Sequence, residues 1–132
     1  MKYLFVIMML LPSVVLSFEG PDTHIFPAKL DRVVDADTMD VAIDLGLGLT
    51  RTVRIRISDY DAPETWRPES NEELEHGEQA TKRTKELLSN EFWIRQHGYG
   101  VYNRVNADII LHDGKDYVEV MKSEDFSKRD EY

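Results

Sequence analysis

The residues best suited to chemistry lie in two short clusters. One is Asp35-Ala36-Asp37-Thr38. The other runs from Arg56 to Glu64 and reads Arg-Ile-Ser-Asp-Tyr-Asp-Ala-Pro-Glu. The second cluster starts on a strand, since Val53, Ile55 and Ile57 alternate with Arg54, Arg56 and Ser58. It ends in acids, Asp59, Asp61 and Glu64, around Pro63. Proline has no N–H for a sheet ladder, so the strand must stop and the chain must turn there. Such a stretch delivers one fixed guanidinium and several carboxylates to one place. Carboxylate oxygens suit a hard cation such as calcium, and a fixed guanidinium suits a phosphate. Together they are the parts of metal-assisted phosphoryl chemistry. The plainer alternative is a basic strand position followed by a solvated acidic turn, and this stretch alone leaves both open.

The chain around these residues is 132 residues long, enough for one domain with one small core. Its 42% apolar content is that of a globular protein. With no cysteine, disulfides, thiolate metal sites and cysteine nucleophiles are excluded. Lys2 precedes an apolar run from Tyr3 to Leu16, shorter than the roughly twenty residues a spanning helix needs. Val15-Leu16-Ser17 then resembles the small-residue pattern before a cleavage site. Residues 1–17 are therefore expected to be a secretory signal peptide and 18–132 a single domain, secreted or periplasmic, or membrane-anchored if the segment stays uncleaved. Without residues 1–17 the chain carries 15 basic against 25 acidic residues, a net charge of −10. That balance argues against nonspecific nucleic-acid binding through overall charge. A polyanion would have to be met by a local basic cleft or by bound cations.

The elements that must position the two clusters are short. Ile25 to Val34 reads as a strand, with Pro27 near its start, and Asp35-Ala36-Asp37 as a turn. Thr38 to Leu45 alternates, with Met39, Val41 and Ile43 on one face. Gly46-Leu47-Gly48 is the next turn, and Leu49 to Ser58 the third strand, giving an antiparallel meander. Trp66 to Glu75 reads as an acidic, mobile loop. Ala80, Thr84, Leu87 and Leu88 have helical spacing within a helix from Gly77 to Ser89. Glu91 to Gln96 is a fourth strand, His97 to Gly100 a loop, and Val105 to Leu111 a fifth strand. Asp116 with Glu119 caps a short helix through about Lys122, and the charged tail Ser123 to Tyr132 is expected to fray. Trp66 and Trp93 are expected to pack, and His76 and His97 to be polar loop residues. Five short strands with one inserted helix and one final helix make a mainly β, α+β chain, folded as a small closed Greek-key barrel.

Four motifs fall in an order and spacing that resembles the staphylococcal nuclease (thermonuclease-like) family. They are Val34-Asp35-Ala36-Asp37-Thr38, Arg56 five residues before Asp61, Asp61-Ala62-Pro63-Glu64, and Tyr102-Asn103-Arg104. The helix from Gly77 and the turn Asp113-Gly114-Lys115 also match, and the resemblance runs from about Ala28 to Lys128. Each motif alone is weak, while four in register are specific. The resemblance implies a five-stranded OB-type barrel and calcium-dependent hydrolysis of phosphodiesters in single- or double-stranded DNA and RNA, leaving 3′-phosphate ends. It implies a monomer with no stable protein partner. By the same resemblance, Asp37 and Asp61 are metal carboxylates and the Ala62 carbonyl a further ligand. Asp35 is a supporting acid behind them. Glu64 positions or deprotonates the attacking water, Arg56 and Arg104 hold the phosphate, and Tyr102 lines the nucleotide site.

The chain departs from the family at several points. Ala36 stands where glycine is common, so a positive φ there would be strained. Ala62 replaces threonine, Asn103 replaces glycine, and Asp125 sits where a helix-ending glycine is usual. The family's third helix has no counterpart in these residues. The alternative function is a noncatalytic OB-type nucleic-acid-binding module. The full set of acids and arginines favours the enzyme.

Overall fold

Three strands follow in succession, β1 (Ile25–Asp35), β2 (Thr38–Asp44) and β3 (Thr50–Ile57), and period-two alternation is clear in β2 and in the second half of β3. Met39, Val41 and Ile43 all point into the core, as do Ile55 and Ile57. The computed structural model describes residues 24–132, so the expected signal peptide lies outside the described residues. Helix α1 (Asn71–Leu87) follows, then β4 (Phe92–Tyr99), a single tight turn at Val101–Asn103, β5 (Val105–Ile110) and α2 (Tyr117–Ser123). The five strands close into a barrel in the order β1-β2-β3-β5-β4, with β4 pairing back onto β1. β3 and β5 run parallel and every other pair is antiparallel. This is the five-stranded OB-type barrel with an inserted and a final helix. Among the described residues no helix is long and apolar enough to cross a membrane.

Two elements are longer than the sequence reading expected. Helix α1 begins at Asn71, not Gly77, because Ser70 caps it: the Ser70 side chain accepts from the Glu73 N–H at 3.1 Å. Glu72 and Glu73, read as part of a mobile loop, are instead first-turn acids, where the helix dipole favours them. β4 continues to Tyr99 through a bulge between Gln96 and Gly98, with Gly98 at φ +148°. His97 is therefore a strand residue, paired to Asp108 at 2.6 Å. His76 is buried in α1, between the Asp125 carbonyl at 2.6 Å and the Tyr132 hydroxyl at 3.1 Å.

The tail does not fray. The Tyr60 hydroxyl donates to the Phe126 carbonyl at 2.6 Å, and the Lys128 N–H donates to the Asp61 carbonyl at 2.9 Å. Trp66 is not a packing residue: it is 69% exposed, with the Arg67 guanidinium 4.3 Å from its ring. Ala36, where glycine was the concern, is fully buried and is not among the residues with positive φ, so its turn carries no such strain.

Asp125 does take up the left-handed conformation that glycine favours, at φ +63°. It closes α2 with two bonds, its own N–H to the Lys122 carbonyl at 3.2 Å and the Phe126 N–H to the Met121 carbonyl at 2.9 Å. The ion pair it makes with Arg129 is exposed and worth little. Asp125→Gly should therefore raise stability by about 0.5–1 kcal/mol, relieving the Cβ strain at a modest entropic cost. A urea titration of the two proteins measures it.

Candidate active site

Antiparallel register brings the two clusters together. Asp35 pairs with Thr38 across the β1–β2 turn, and Thr38 pairs with Arg56 in β3. Arg56 therefore emerges beside Asp37. The Asp37 carboxylate is nearly buried, 9% exposed as a residue. Its Oδ1 accepts from the Thr38 hydroxyl at 2.9 Å. Its Oδ2 accepts from the Ala62 N–H at 2.8 Å and is ion-paired to Arg56 Nη1. The other terminal nitrogen of Arg56, Nη2, lies 2.5 Å from Asp61 Oδ1. One guanidinium thus spans both carboxylates. Burial works against its positive charge, but the bonds and attraction to Asp37, then Asp61, more than offset this and hold the proton more firmly than usual.

The turn from Asp61 to Thr65 is held from three sides. From β1, Asp35 Oδ1 accepts both the Thr65 N–H at 3.0 Å and its hydroxyl at 2.6 Å. From α1, Glu73 Oε1 accepts the Glu64 N–H at 3.2 Å, and Oε2 accepts the Glu69 N–H at 2.6 Å. From the tail, Lys128 holds the Asp61 carbonyl and places its ammonium 3.4 Å from Glu73 Oε1 and 4.0 Å from Glu64 Oε1. Gly77 makes the approach of α1 possible. A Cβ there would lie 3.0 Å from the carbonyl oxygens of Pro63 and Glu64 and from Thr65 Cγ2.

Of the residues singled out in the sequence, Asp35, Asp37, Arg56, Asp61, Ala62 and Glu64 belong to this one connected arrangement. Asp61 and Glu64 are exposed, while Ala62 and Pro63 are buried beneath them. Tyr102 and Arg104 form a separate pair on the turn before β5. Tyr102 is 92% exposed at φ +59°, and the Arg104 guanidinium stands 6.0 Å from its ring. Arg104 bonds to the Val101 carbonyl at 3.3 Å and makes no ion pair with the acids. Asn106, two residues after Arg104, pairs with Arg56 across the parallel strands. It also lines an open hollow of about 420 Å³ together with Arg56, Asp59, Tyr60 and Asp61.

Sequence reasoning missed Asn106, Glu73 and Lys128. Only Glu73 carried a local signal, the Ser70-x-x-Glu73 capping pattern. A further missed residue is Tyr117, fully buried, whose hydroxyl donates to the Ala36 carbonyl at 2.6 Å and meets the Thr84 hydroxyl at 2.7 Å.

The donors available to a metal are all hard oxygens, which suits a divalent cation such as calcium. Asp37 and Asp61 already converge on one cationic group. Among the described residues, no three Asp, Glu, His or Cys side chains are grouped to hold an ion. Two carboxylates with a backbone carbonyl are the set these residues offer. No known family model matches the sequence, and no curated protein matches it significantly.

Two outcomes follow from this geometry. The buried Glu73 carboxyl is held below its ordinary value of 4.5, chiefly by the Glu69 N–H, against burial, with help from the Glu64 N–H and Lys128. A depressed carboxyl stabilises the fold fully above its unfolded-state value, and that stability is lost as pH falls through the folded value. Urea midpoints should therefore drop less between pH 6 and about 3 in Glu73→Gln than in the parent. Tyr117→Phe strips the Ala36 carbonyl of a buried donor and should lower stability by about 1–3 kcal/mol, read from the same titrations at pH 7.

Proposed function

We propose that this chain is a calcium-dependent nuclease of the staphylococcal nuclease type, hydrolysing phosphodiester bonds of DNA and RNA and leaving 3′-phosphate ends. The observation that carries the reading is the convergence of Arg56, Asp37, Asp61 and the Glu64 turn at one end of the barrel. No simple acidic turn requires a strand arginine between two carboxylates with a third acid held close by.

Asp37, Asp61 and the Ala62 carbonyl are the residues that would hold the cation. When bound it would neutralise phosphate charge and make a water easier to deprotonate. Glu64 is an exposed acid that does not pair with Arg56, and its part is to orient the attacking water and take its proton. Its own backbone is fixed through Glu73, so the carboxylate swings on a short, anchored stem. Arg56 stabilises negative charge building on the phosphoryl oxygens through fork-shaped donors. To do so it must give up part of its hold on Asp61, the more exposed of its two partners. Arg104 supplies a second guanidinium from the turn before β5. Tyr102 offers a bare aromatic face, on which a nucleobase can stack. Because the domain is acidic overall, the local arginines and a bound cation have to draw the substrate in.

The test uses purified protein and single-stranded DNA, with calcium or with chelator, beside Glu64→Gln. Calcium-dependent cutting should appear and fall by about 10²–10⁴-fold in the variant, the usual contribution of a positioned base. Binding without cutting at any metal concentration would replace this reading with the noncatalytic OB-type module.

A further inference from the structure

Glu73 is fully buried and takes no direct part in the chemistry proposed above. A carboxylate in that position is expensive unless its oxygens are satisfied. Both are, and by a particular set of donors. Oε1 takes the Glu64 N–H and faces the Lys128 ammonium, while Oε2 takes the Glu69 N–H. Two of these contacts lead to the turn that carries Glu64 and the segment following it, and the third to the tail that bonds the same turn. The Lys128 side chain reaches three glutamates, Glu64, Glu69 and Glu73, and its backbone N–H holds Asp61. Gly77, one helical turn after Glu73, brings α1 into contact with the Pro63 and Glu64 carbonyls.

We propose that Glu73 and Lys128 are positioning residues for Glu64. The buried carboxylate fixes the Glu64 backbone from the helix side, and the lysine clamps the same turn from the tail. The clamp includes the ammonium 4.0 Å from the Glu64 carboxylate, which restrains that side chain. Neither residue contacts substrate. Their effect on turnover rests on the nuclease reading, whereas the tie itself is a property of the fold.

Glutamine at position 73 keeps one acceptor oxygen and loses the other, along with the charge that draws in Lys128. Amide hydrogen exchange on the full chain should show the Glu64 N–H exchanging at least tenfold faster in Glu73→Gln, with Val41 in the barrel unchanged. With calcium and single-stranded DNA, kcat should fall by about tenfold or more while KM moves less than about twofold, because a misplaced group weakens the reacting geometry and not binding. Lys128→Met should show the same split and Lys128→Arg should restore most of the rate. Glu73→Gln added to Glu64→Gln should cost nothing further, since Glu73 acts through Glu64. If Glu73→Gln fails to fold, the Lys128 pair decides.

The proposal is overturned if protection of the Glu64 amide is unchanged, or if kcat stays at the parent level in the folded variants. It is also overturned if Lys128→Met and Lys128→Arg behave alike. Absence of cutting in the parent itself would sink the nuclease reading, and hydrogen exchange would then judge the tie alone.

Discussion

The guanidinium of Arg56 lies between the carboxylates of Asp37 and Asp61, and much of the molecule is arranged to keep it there. Asp37 is nearly buried, so its charge needs a partner. Arg56 can serve only because β2 and β3 are in the register that sets Thr38 against Arg56. A slip of one residue would turn Arg56 into the barrel and Ile55 out to solvent. The buried row of Met39, Val41, Ile55 and Ile57 prevents that slip. Core packing and site geometry are therefore one constraint: the apolar face fixes the register, and the register fixes the charges.

The turn beyond β3 has the opposite problem. It has no ladder of its own, since Pro63 ends the strand, and its backbone groups must find partners elsewhere. Asp35, Asp37 and Glu73 each accept one of its N–H groups, at Thr65, Ala62 and Glu64 respectively. Three acids, two from the β1–β2 turn and one from α1, thus do for this loop what a neighbouring strand would do for a strand. The arrangement also accounts for a buried glutamate and a closely packed glycine on the same helix.

Much of this was legible in the sequence. The alternation of Thr38 to Ile57 is strong, and both hairpin turns and the Asp116–Glu119 cap were read correctly. The motif residues from Asp35 to Glu64 were identified by type and spacing, and the fold brings them together. What failed was the reading of charge as disorder. The acidic composition around Glu72 and Glu73 points to a solvated loop, whereas the single Ser70 cap is what starts the helix there. The tail looked loose for the same reason. Its anchors, Phe126 and Lys128, bond to residues more than sixty positions away, and no local pattern announces such contacts. Asn106 was invisible because its importance comes from the parallel β3–β5 pairing, which a strand list does not determine.

The hold that Lys128 has on Asp61 also sets an order of events. The acids of the turn, Arg56 and all five strands of the barrel are present once residues up to Ile110 have left the ribosome. The last clamp is not, because it comes from residue 128. Closing a loop of that length is among the later steps of folding, since its entropy must be met before the contact contributes. A chain in which residue 128 has not yet docked therefore carries its charged residues without their final arrangement, and the Glu64 turn is completed only when that residue arrives.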